Sequence, residues 1–183
     1  MNIETKLLVR YGIPGWYFIL WLFILSKFSG VDIEKVSGLS SDILSSVVLT
    51  VLGVPIGYIL YQIYFITTHA EHKNSTPNWN IFVFENIDRE DRDYVSGRYS
   101  HMLRGVHEAG VLQMTFFLSA VSVFIIPAII RINSSEFEKL SILVAFSFSM
   151  LNIVLALAVN KNYRFKQEEL KQFIDGIKQS VKK

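Results

Sequence analysis

Ile43 to Ile66 is 24 residues long and holds no charged side chain. A helix apolar on every side must be covered by a core or by lipid. About 20 such residues cross the roughly 30 Å hydrocarbon layer of a bilayer. Three further runs share this character. Tyr11–Leu25 is short for a span unless its helix begins near Leu7, which would require Arg10 to snorkel to the interface. No small-x-small cleavage pattern follows it, so the expectation is a retained span and not a signal peptide. Val111–Ile130 and Leu140–Val159 complete the set. Charged residues make up 19% of the chain, below the roughly 25% of soluble domains, and apolar residues 51%.

These runs predict an all-α membrane protein with four transmembrane helices in two hairpins. Its expected units are residues 1–66 (first hairpin), 67–110 (a cytoplasmic helical insert between spans 2 and 3), 111–160 (second hairpin) and 161–183 (a basic amphipathic tail). Four spans put both termini and the insert on one side. That side carries 14 of the 18 Lys and Arg residues, leaving Lys27, Lys35, Arg131 and Lys139 for the other. The positive-inside rule makes the crowded side cytoplasmic, with Lys6, Arg10, Lys161, Arg164 and Lys166 closest to span ends. The expected location is the cell inner membrane, multi-pass, with the bilayer as the first partner.

No span has an acid or base in its interior, which argues against proton- or sodium-coupled transport. Small residues recur instead. Ser46, Thr50, Gly53 and Gly57 fall on one face of the second span, and Asn152 is the strongest polar group at depth. These are helix-packing candidates, either within one chain or between copies in a homo-oligomer. Pro55, between the two glycines, should kink that helix.

The insert, Thr67–Gly110, contains all four histidines: His69, His72, His101 and His107. Its first part carries turn chemistry at Asn74-Ser-Thr-Pro77, then an apolar Trp79–Phe84 run read as a docked loop or lone strand. Asp88 is placed to cap a helix whose first turn is acidic. Along that helix Val95, Tyr99, Met102, Val106 and Ala109 recur on one face, and Tyr94, Arg98, His101, Gly105 and Glu108 on another. Gly97, Gly105 and Gly110 weaken it by about 1 kcal/mol each relative to alanine.

Arg98, His101, Arg104, His107 and Glu108 are the candidate ligand-binding residues, since arginine with histidine suits a phosphate or another anion. Steps of three drift by about 60° on an α-helix, so Arg98 and His107 should face opposite ways. The histidines match no H-E-x-x-H or Cys-containing signature, so no metal or other cofactor is expected. The chain has no cysteine, which excludes disulfides and a thiolate nucleophile. No catalytic motif is present, and a net charge of +2 gives no reason to expect nucleic acid. The reading is a non-enzymatic sensor, scaffold or gated pore, its insert binding a cytoplasmic protein or an anionic ligand. The alternative is a membrane-bound enzyme acting on a lipid or nucleotide at the cytosolic interface.

In the tail, Leu170, Phe173, Ile174, Ile177 and Val181 recur at helical spacing. Seven bases against three acids suit an anionic leaflet. A helix bundle between subunits, or packing on the insert, would use the same stripe.

Overall fold

The computed structural model describes the backbone of residues 3–28, 41–72, 79–133 and 139–181, and the side chains of 10–25, 51–68, 79–122 and 146–181. The Asn74–Pro77 turn and the connections at 29–40 and 134–138 lie outside the described residues. So do the side chains of Ser46, Thr50, His69 and His72.

The described residues are all-helical. The helices are α1 (Ile3–Phe28), α2 (Ser41–His72), α3 (Trp79–Asn86), α4 (Arg89–Asn133) and α5 (Lys139–Val181). They form two antiparallel pairs, α1 with α2 and α4 with α5. Among the described residues one segment, Val51–Thr68, is long and apolar enough to cross a membrane, and Arg10–Leu25 is a shorter apolar stretch.

The first pair is held by backbone proximity. A Cβ on Gly15 would overlap the Gly53 carbonyl, and one on Gly57 would overlap the Tyr11 carbonyl. The indole of Trp16 occupies the space a Gly53 side chain would need. α1 begins well before Pro14, so Arg10 lies inside the helix. Its guanidinium donates to the Tyr61 hydroxyl at 3.2 Å and sits 4.8 Å from that ring's centre.

Polar links tie the pairs together. The Trp21 indole N–H donates to the Ser119 carbonyl at 2.6 Å, and the Tyr17 hydroxyl donates to Asn152 Oδ1 at 2.7 Å. Asn152 is fully buried and returns a bond from its amide nitrogen to the Phe148 carbonyl at 3.0 Å. Thr115 and Ser119 are fully buried as well, and small residues of this kind let helices approach closely. Between α4 and α5, Ser149 Oγ donates to the Ala120 carbonyl at 3.3 Å.

Trp79–Phe84 forms neither a strand nor a docked loop. It is the body of α3. Trp79 and Val83 are one turn apart and both buried, and they close a small core with Val95 of α4. Phe173, Ile174 and Ile177 of α5 pack on the same cluster. Packing on the insert is one of the expected uses of the tail stripe, and these three side chains make that contact. The Ile87 N–H bonds to the Val83 carbonyl at 3.1 Å, and the Asp88 carbonyl then starts α4 by accepting from Arg92 at 3.2 Å. Arg92 clamps the junction, donating from Nε to the Ile87 carbonyl at 2.8 Å with its guanidinium over Phe84.

α4 runs without a break through Gly97, Gly105 and Gly110, and α5 runs without a break from the fourth apolar run into the tail. At about 1.5 Å per residue the 45 residues of α4 and 43 of α5 make rods of about 67 and 64 Å.

Candidate functional site

The long α4–α5 pair carries the candidate ligand-binding residues on its polar half. Val95, Val106 and Ala109 are buried, while Arg98, His101, Arg104 and Glu108 are exposed. His101, Arg104 and Glu108 share a cleft of about 380 Å³ with Met102 and Gly105 and with two residues of α5, Lys166 and Glu169. Lys166 is held at the cleft wall, where Nζ donates to the Gly105 carbonyl at 3.4 Å.

The other two candidates lie elsewhere. Arg98 does not line the cleft. His107 points to the opposite side of α4, into the aromatic set formed by Tyr61, Tyr64 and Phe65, with ring centroids 6.3, 5.9 and 6.5 Å away. The sequence candidates therefore split: three face one cleft, one is apart on the exposed surface, and one packs against α2.

Lys166 and Glu169 come from 58 or more residues away along the chain. The signal for Lys166 was its spacing from Leu170 and Phe173, at four and seven residues, which puts all three on one stripe if the tail is helical throughout. The cleft pairs two cations with two carboxylates, beside one histidine. It can receive an anion through Arg104 and Lys166, with Glu108 and Glu169 as acceptors for hydroxyl or amine groups beside it. Among the described residues no three His, Cys, Asp or Glu side chains converge in a way that would hold a metal ion.

Gly53 and Gly57 meet α1 of the same chain, and Asn152 bridges α5 to α1. At the end of the cluster formed by α3, α4 and α5, Tyr99 stacks on Trp79 with ring centroids 4.7 Å apart. Burial pushes the Tyr99 hydroxyl above its ordinary value, so it stays neutral.

No protein-family model, curated protein or solved structure matches this chain.

Proposed function

We propose that the chain is a four-span membrane protein of sensor or scaffold type. Its cytoplasmic stalk, built from α3 and the polar halves of α4 and α5, receives a partner or an anionic ligand. Both termini lie in the cytoplasm. The observation that carries this reading is the continuity of α4 and α5. Each rod joins an apolar half to a polar half with no hinge, and the two touch in both halves, at Ser149–Ala120 and at Lys166–Gly105. A displacement imposed on the stalk must then move the apolar halves as well, which is the requirement for signalling across a membrane boundary.

The apolar surface supports placement in a bilayer. Only 22% of the Val51–Thr68 segment is buried inside the chain, whereas the core helix of a soluble protein would be mostly covered. Ile59, Ile66, Phe117, Val154 and Leu157 are all more than half exposed. The enzyme alternative rests on the same mixed-charge cleft, whose lining holds no serine, threonine or cysteine.

The absence of cysteine makes topology directly testable. Gly97 faces open space, so Gly97→Cys adds a labelling site without a clash. In intact cells a membrane-impermeant maleimide is expected to leave it unlabelled, and to label it after lysis. Labelling in intact cells would place the stalk outside. For the ligand, ATP binding measured by calorimetry is expected to weaken about tenfold in Arg104→Ala and in Lys166→Ala, since each removes a charge-assisted bond. Wild-type protein that ignores ATP and inorganic pyrophosphate would direct the stalk to a protein partner.

A further inference from the structure

A second cleft, of about 770 Å³, opens between α2, α4 and α5 on the other side of α4. That volume is within the range of about 300 to 1,000 Å³ usual for small-molecule sites. None of the residues lining it is charged. Its walls are divided. Met114, Phe117, Ile153 and Leu157 form one end, while Tyr64, Asn160, Tyr163 and Gln167 form the other. The division falls at one level of the fold, where three apolar runs end together: Ile66 on α2, Val111 on α4 and Val159 on α5. On the proposed topology this is the cytoplasmic face of the bilayer. The polar end then sits at headgroup depth and the apolar end in hydrocarbon. Phe117 and Leu157 are 57% and 62% exposed, so the apolar end opens sideways to lipid.

The polar end has a defined hydrogen-bonding sense. The Tyr64 hydroxyl donates to the Tyr163 oxygen at 3.4 Å, and Gln167 Nε2 donates to the same oxygen at 2.7 Å. With both acceptor positions of Tyr163 taken, its own hydroxyl hydrogen is left to donate. Gln167 retains a second N–H. Gly110 holds this arrangement in place, because a Cβ there would overlap the Tyr64 ring.

Donors at one end, no cation to balance a phosphate or carboxylate, and an apolar trough below match one ligand chemistry. We infer that this cleft binds an uncharged acylglycerol from the cytoplasmic leaflet. The ester carbonyl accepts from Tyr163, the glycerol hydroxyls meet the Gln167 and Asn160 amides, and the acyl chain lies along Phe117, Ile153 and Leu157. A lipid held there touches all three helices that join the spans to the stalk, so its occupancy bears on the stalk. This inference rests on the membrane reading above.

The test uses full-length protein in phosphatidylcholine nanodiscs with a monoacylglycerol carrying a photoactivatable diazirine in its acyl chain. Cross-links mapped by mass spectrometry are expected on Met114, Phe117, Ile153 and Leu157, competed by unlabelled monoacylglycerol. Tyr163→Phe, which keeps the ring, is expected to lower that labelling about fivefold, the size of one lost hydrogen bond. Ala156→Trp, which fills the cleft, is expected to abolish it. Equal labelling of the outward-facing Ile59 and Ile63, equal labelling by a diazirine fatty acid or phosphatidylglycerol, or indifference to both substitutions would overturn the inference. Carbonate extraction separates the two readings. Protein that stays with the membrane yet labels no cleft residue sinks the lipid site alone, and protein released by carbonate sinks the spans.

Discussion

Glycine has opposite meanings at different positions of this chain, and only the neighbours decide which. Gly15 and Gly57 face backbone, which cannot swing aside as a side chain does, so even a methyl group there must push α1 from α2. Gly15→Ala should cost about 1–3 kcal/mol, the usual range for overpacking a close contact. Gly97 meets nothing within 4 Å, so Gly97→Ala should instead stabilise α4 by up to about 1 kcal/mol through helix propensity. Thermal unfolding in detergent checks both, and two shifts of the same sign would contradict the packing. From sequence, Gly97, Gly105 and Gly110 look alike, as three weak points in one helix. The structure separates them: Gly97 is open, Gly105 borders Lys166, and Gly110 makes room for the Tyr64 ring. Nothing local distinguishes them, because each environment is set by a helix distant in sequence.

At the scale of elements, helical periodicity was legible wherever a helix buries one stripe. The α4 pattern from Val95 to Ala109 and the tail stripe at Phe173, Ile174 and Ile177 were both readable in this way. α3 was not readable. Trp79-Asn-Ile-Phe-Val-Phe84 is rich in aromatic and β-branched residues, a composition that favours strands. It is helical because Trp79 and Val83, four apart, both reach Val95, and burial outweighs a local preference of at most about 1 kcal/mol. The candidate site was legible in part for the same reason. His101, Arg104 and Glu108 share a helix face, whereas Lys166 and Glu169 enter through the register of α5 on α4. The cluster under α3 also has a pH signature. The Tyr99 hydroxyl is held above its ordinary value of 10.0 by burial, so folding favours the neutral phenol. Its contribution is fully present below about pH 10 and is lost as pH rises through the raised folded value. Acrylamide quenching of tryptophan should therefore stay flat from neutral pH to about pH 10 and then rise as α3 loosens. In Tyr99→Phe, which keeps the stack on Trp79 without a titrating group, that rise should move to higher pH. An unchanged profile would assign the alkaline transition to another group.

For the whole molecule, the composition boundaries near Gly110 and Asn160 fall inside two continuous helices, α4 and α5. The change from apolar to polar at Gly110 on α4 and at Asn160 on α5 alters the side chains the helix presents and leaves its hydrogen bonding unbroken, because i→i−4 bonds join backbone groups within the helix itself. Sequence reading marks that change easily and has no cue for whether the helix ends there. The consequence is mechanical. α5 is anchored in its apolar half by the Tyr17–Asn152 and Ser149–Ala120 hydrogen bonds, and in its polar half by Phe173, Ile174 and Ile177 on the Trp79 cluster. Inserting three alanines after Asn160 turns everything beyond by about 300° and advances it by about 4.5 Å. A rigid α5 cannot then satisfy both anchors. If the apolar anchors hold, Phe173 leaves Trp79, and acrylamide, which reaches Trp79 from water, should quench more strongly. With α1 in the bilayer, as proposed, brominated lipids should quench Trp16 and Trp21 as before. Inserting three glycines at the same point supplies slack and should restore most of the protection of Trp79. Equal protection in both insertions and in the wild type would mean that α5 is jointed at Asn160, and that its polar half can move without its apolar half.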